Sequence, residues 1–151
     1  MKPISFKRIL FCTDFSKTAD RAFQYALDLA MKNPGSRLIL LHIVPEPGAQ
    51  FWQTYLHEVE NVEDKARQDM ETKLNETYVS HIPPVVEFEI ELRNGKEDEQ
   101  ILDCASEKQA NLIVIGREGK SAVKTHLFGA ITEHIARKAD CPVLIIPGTE
   151  H

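Results

Sequence analysis

At 151 residues, with 42% apolar and 27% charged side chains, the chain is expected to form one domain, 1–151, with a core that needs neither disulfide nor metal. No apolar run reaches the roughly 20 residues of a membrane span, and the start, Met-Lys-Pro-Ile-Ser-Phe-Lys-Arg, lacks the apolar centre of a signal peptide. A net charge of −5 argues against nucleic-acid binding by the surface as a whole, and Cys12, Cys104 and Cys141, without a Cys-x-x-Cys, suit free thiols in the cytoplasm.

Arg8 to Thr13 is apolar almost throughout and reads as a central strand. Ser16 is placed to cap a helix whose Ala19, Ala22, Phe23, Ala26, Leu27 and Ala30 share one face, and Asn33-Pro34-Gly35 stops it. A second buried strand runs from Arg37 to Val44 and ends at Pro45-Glu46-Pro47-Gly48. From about Gln50 to Val79, apolar residues from Trp52 to Leu74 recur at steps of three and four. That is core spacing on a helix, with the part before Val62 a loop or a separate turn.

Val86, Phe88, Ile90 and Leu92 alternate with Glu87, Glu89 and Glu91, which predicts a strand with one wet face at a sheet edge. Gly95 then turns the chain into a helix with Ile101, Leu102 and Ala105 inward. Asn111 to Gly116 is a third buried strand, followed by Gly119 and, after nine intervening residues, Gly129 at the expected start of a helix ending near Lys138. Cys141-Pro-Val-Leu-Ile-Ile-Pro147 holds the last strand.

Strands alternating with helices imply a parallel sheet covered on both faces. The three apolar strands belong in the middle and the alternating one at an edge. The predicted architecture is therefore three-layer α/β/α, with a five-stranded parallel sheet in the order 3-2-1-4-5. Its topological switch point falls between strands one and four, and ligands bind there beyond the carboxyl ends. Asp14 and Gly116 end those two strands, so the two most chemical-looking stretches should meet in one crevice although about 100 residues apart. Charge agrees. Leu112 to Asp140 carries Arg117, Lys120, Lys124, Arg137 and Lys138 against Glu118, Glu133 and Asp140, a basic stretch in an acidic protein. Glycines after a strand and before a helix let amide N–H groups approach an anion.

Several chemistries are missing. No Gly-Lys-Ser/Thr closes a P-loop, and the first strand leads into Thr-Asp-Phe-Ser rather than Gly-x-Gly-x-x-Gly. His57-Glu58 has Asn61 where a metalloprotease needs its second histidine, and no Gly-x-Ser-x-Gly elbow occurs. His126 and His134 lie on weakly related helix faces, so no metal site is expected. No spacing assembles a nucleophile, its base and an orienting group.

Gly116-x2-Gly119-x9-Gly129, then a helix and Cys-Pro-Val-Leu-Ile-Ile, resembles the nucleotide-binding signature of the universal stress proteins. Thr13-Asp14-Phe15-Ser16, Leu41-His42-Ile43 and Gly95 are similar too, and the resemblance spans nearly the whole chain except about Gln50 to Pro84. It implies an adenine nucleotide α-hydrolase-like fold that holds ATP, or ADP or AMP, with Mg2+ as an optional companion. Carried over, Asp14 meets the ribose or adenine, Thr13 lines the pocket, and Ile43 offers backbone groups to the adenine. Ile115, Gly116 and Gly119 shape the phosphate loop, and Gly129, Ala130 and Ile131 present amides.

Ala130 departs from the family's Ser or Thr, whose hydroxyl bonds a phosphate. A hydrogen bond to a charged group is worth roughly 1.5–3 kcal/mol, so its loss weakens binding by about one to two orders of magnitude. Arg117, Lys120 and Lys124 either supply compensating charge or are solvated side chains. The resemblance further implies a cytoplasmic homodimer, paired through Val143, Leu144, Ile145 and Ile146, that signals through its bound nucleotide and hydrolyses it slowly or not at all. The alternative is a dimeric interaction module of the same family that no longer binds nucleotide. An adenylate-forming enzyme of the wider group would want a Ser-Gly-Gly-type loop after strand one, which Thr13-Asp14-Phe15-Ser16 does not supply.

Overall fold

A computed structural model describes residues 1–44, 62–117 and 125–148, with backbone alone at 62, 63 and 125–128. Strand β1 (Arg8–Thr13) leads to helix α1 (Lys17–Lys32) and β2 (Arg37–Val44). Helix α2 (Val62–Thr77) and a 3-10 turn (Val79–His81) precede β3 (Glu87–Asn94). Helix α3 (Glu97–Glu107), β4 (Leu112–Gly116), helix α4 (Thr125–Lys138) and β5 (Val143–Ile146) complete the order. The five strands are parallel and lie β3-β2-β1-β4-β5, with Cys12 opposite Ile115 and Thr13 opposite His42.

The uninterrupted apolar strands follow from burial on both faces. Ile9, Phe11, Leu38 and Leu40 point into one layer with Ala22, Phe23, Ala26, Leu74 and Tyr78. Leu10, Cys12, Ile39, Leu41, Ile113 and Ile115 point into the other with Ile101, Cys104 and Ile135. Ser16 caps α1 as expected, its hydroxyl accepting the Ala19 amide at 3.1 Å, and Gly35 takes φ +85° just beyond the helix.

Three expectations need correction. The acids of β3 do not form a plain solvated face. Glu89 and Glu91 are held by Lys108 at 3.6 and 3.5 Å, and Arg93 adds contacts to Glu91 and Glu107. The C-terminal end of α3 brings Lys108 and Glu107 to the sheet edge, where Arg93 of β3 meets them, while Phe88, on the nominally dry face, stays 40% exposed. On α3, the fully buried residues are Ile101 and Cys104, with Leu102 and Ala105 packed only partly. Finally, α4 begins at Thr125, so Gly129 lies inside its second turn rather than at its start. A helical glycine costs about 1 kcal/mol against alanine, which weakens a helix without ending it. The stretch before Val62, Gly119, Lys120 and Lys124 lie outside the described residues. Among the described residues, no helix is long and apolar enough to cross a membrane.

Candidate functional site

The turn after β1 is held by its own side chains. Asp14 Oδ1 accepts the Ser16 amide at 2.9 Å, and Thr13 Oγ1 accepts the Phe15 amide at 2.9 Å. Between them Phe15 is forced to φ +63°, a left-handed conformation that costs a residue with a Cβ roughly 1–2 kcal/mol. The surroundings hold it there. Its ring packs 4.7 Å from His42 and 6.0 Å from Tyr78, and the Lys73 ammonium sits 4.3 Å from its centre.

Tyr78 closes this arrangement from below, in a polar chain that crosses from the turn to α1. Its hydroxyl lies 2.6 Å from Thr13 Oγ1 and donates to Asp20 Oδ1 at 2.9 Å. Its one proton goes to the carboxylate, so Thr13 donates to Tyr78. Burial raises the phenol far above its ordinary value, which keeps it a neutral donor at any physiological pH. His42 Nδ1 donates to the Thr13 carbonyl at 2.8 Å and ties β2 to the same corner.

On the α3 side of that corner lies a narrow crevice at the switch point between β1 and β4, lined by Cys12, Thr13, Asp14, Glu97, Ile115 and Gly116. Asp14 and Gly116 do meet. Gly116 is there for a packing reason as well: an added Cβ would lie 2.7 Å from Thr18 Cγ2 and 3.1 Å from the Thr18 carbonyl carbon. Only glycine lets the start of α1 approach the end of β4 this closely.

The other predicted residues are spread around this floor. Ile43 sits near the end of β2 and Arg117 follows β4, its amide donating to the Ile146 carbonyl at 2.8 Å. Gly129 and Ala130 are exposed on α4 and Ile131 packs partly into the core. None of these five lines the crevice, and Gly119 is outside the described residues. Thr132 does not stand in for the missing hydroxyl at 130; it is buried, and its Oγ1 donates to the Gly129 carbonyl at 3.1 Å.

Glu97 was invisible in the sequence because nothing local separates it from the acids at 98 and 99. It opens α3, where the helix dipole favours an acid, and its side chain turns into the crevice. Burial, then the charges of Asp14 and Asp98, raise its carboxyl above the ordinary value. Asp98 is occupied differently. Oδ2 lies 2.6 Å from His134 Nδ1 on α4 and Oδ1 accepts the Glu99 amide, so it is held below the usual carboxylate range despite its burial. Among the described residues no cluster of three His, Cys, Asp or Glu could hold a metal ion.

This arrangement, acids and glycine converging at a parallel-sheet switch point, can be compared with known proteins. Residues 5–147 match the family model described as universal stress protein family. The chain belongs to that family. Universal stress protein MJ0577 of Methanocaldococcus jannaschii is 26% identical over 159 residues, covering 95% of this chain and 96% of that one. A solved structure of MJ0577 superposes with a TM-score of 0.81 over 98% of this chain and all of its own, at 24% identity. Two further universal stress protein structures share the fold at 20% identity. One, in complex with cAMP, has a TM-score of 0.66 and covers 95% of this chain and 98% of its own. The other, from Archaeoglobus fulgidus in complex with dAMP, has a TM-score of 0.63 and covers 95% and 99%.

Proposed function

We propose that this universal stress protein binds an adenine nucleotide, ATP or its diphosphate or monophosphate, in the crevice between β1 and β4. The observation that carries the reading is the convergence of Asp14 and Gly116 on one crevice at the sheet's switch point, where parallel α/β proteins take ligands. Relatives solved with cAMP and dAMP support it. The residues fit the nucleoside end. Asp14 and Glu97 offer acceptors to hydroxyls and the exocyclic amine, Ile115 and Thr13 supply walls, and Ile43 has backbone groups for the base edge. The phosphates run towards Arg117 and the exposed Gly129–Ala130 face of α4, away from the two acids. Mg2+, if it accompanies the nucleotide, is held mainly by phosphate oxygens. In this reading the named residues bind and orient rather than activate water, so turnover is slow or nil and the protein acts in the cytoplasm through its loaded state.

Titration calorimetry with ATP, ADP and AMP tests this, and absence of heat at millimolar nucleotide would remove it. Ala130→Ser restores a hydroxyl on the exposed face of α4 and is expected to tighten ATP binding about tenfold or more. A second reading, a dimeric interaction module without nucleotide, is favoured by Ala130 itself. It predicts that Ala130→Ser leaves binding undetectable.

Dimerisation through β5 belongs to both readings. Among the described residues that strand pairs only with β4, and it leaves Val143, Leu144 and Ile145 partly exposed, with Ile146 buried. A second copy of the edge would cover its free backbone groups under two-fold symmetry. Leu144→Glu is therefore expected to sediment as a monomer where the unmodified protein sediments as a dimer; equal sedimentation of the two would count against the β5 interface.

A further inference from the structure

The two acids in the crevice make different demands. Asp14 is engaged by its own turn, whereas Glu97 has no hydrogen bond or ion pair with any described residue, though it faces Asp14 across a partly buried space. Its helical neighbour Asp98 is clamped to His134, which pins the first turn of α3 and so the direction in which Glu97 points. A free carboxylate in such a place repels phosphate and attracts an uncharged donor. In a nucleotide the groups that donate without charge are the sugar hydroxyls and the base amine. A carboxylate opposite a ribose hydroxyl is how other parallel α/β folds read that sugar.

Resting on the nucleotide reading above, we propose that Glu97 accepts a hydrogen bond from the ribose 2′-hydroxyl and makes this crevice selective for ribonucleotides over 2′-deoxyribonucleotides. Glu97 is then a specificity-determining residue at the mouth of the β1–β4 crevice. The unliganded protein bears the cost. Burial and the nearby acids disfavour the ionised carboxyl in the fold, so the stabilisation linked to its protonation is fully present below the ordinary value of 4.5 and is lost as pH rises through the raised one. At neutral pH the ionised carboxylate is disfavoured in this place, and a hydroxyl donor relieves it.

The test is calorimetric titration of ATP, 2′-deoxyATP, 3′-deoxyATP and inosine triphosphate into the full chain, its Glu97→Gln variant and its Glu97→Met variant, with thermal unfolding alongside. The unmodified protein should prefer ATP to 2′-deoxyATP by about tenfold or more. Glu97→Met should erase that preference, and Glu97→Gln, which keeps a neutral acceptor, should retain part of it. Both variants should unfold at a higher temperature than the unmodified protein at pH 7, a gain that disappears at about pH 4. A residue that merely supports the fold would lose stability and affinity together. Loss of ATP-over-inosine discrimination in place of the sugar preference would overturn the assignment in favour of the base amine. Equal discrimination by all three proteins would overturn it while leaving nucleotide binding intact. Failure of the unmodified protein to bind any nucleotide would overturn both this inference and the reading on which it rests.

Discussion

Tyr78→Ala is expected to lower the unfolding free energy by about 3–5 kcal/mol, and Tyr78→Phe by about 1–2 kcal/mol. The ring is fully buried and sits 5.2 Å from Phe11 and 4.9 Å from Phe23, so truncation opens a cavity in the centre of one core layer. The phenylalanine variant keeps that packing and removes only the hydroxyl. Thr13, itself buried, then loses its acceptor, and Asp20 loses a donor. Denaturant titrations of the two variants should therefore separate the ring's contribution from the hydroxyl's. The hydroxyl's part has a functional echo. Thr13 Oγ1 is also the acceptor that holds the Phe15 amide, so loosening it frees the strained turn that positions Asp14. Tyr78→Phe is expected to weaken ATP binding several-fold, and amide exchange at Phe15 and Ser16 should quicken. Unchanged exchange there would show that the turn holds itself.

Gly116→Val is expected to cost about 3 kcal/mol or more, and Gly116→Ala about 1–3 kcal/mol. The added atom would fall 2.7 Å from Thr18 Cγ2, and a β-branched side chain on a helix has little rotamer freedom with which to retreat. The Thr18 carbonyl oxygen follows at 3.2 Å, so the first turn of α1 must move as a unit. That turn carries the Ser16 cap and, one residue earlier, the Phe15 corner. A double-mutant cycle makes the cause visible. Thr18→Ser removes the methyl and should recover part of the Gly116→Ala loss but not all of it, because the backbone contact remains. Additive losses would locate the strain elsewhere. The fold thus requires this glycine for its own packing, and its presence alone does not report a ligand.

Much of the fold could be read from one strand of residues at a time. Arg8–Thr13 and Arg37–Val44 were legible as strands to the residue, because apolar side chains on both faces demand a covered parallel position and because Asp14 and Pro45 end the runs. The strand order followed from the contrast between those runs and the alternating residues of β3. The crevice was legible too, since Asp14 and Gly116 end the two strands that flank the switch point. The start of α4 was not, because a glycine marks a permissive backbone and not a boundary.

What the chain determined by itself was therefore periodicity and punctuation: which segments bury, how long they run, and in what order their ends must meet. These are local properties of side-chain spacing. Only the tertiary structure decided that Glu97 rather than its neighbours faces the crevice, that Tyr78 reaches Thr13 across 65 residues, and that His134 takes Asp98 out of play. Each of those depends on where two distant elements come to rest against the sheet, and no spacing along the chain records that distance.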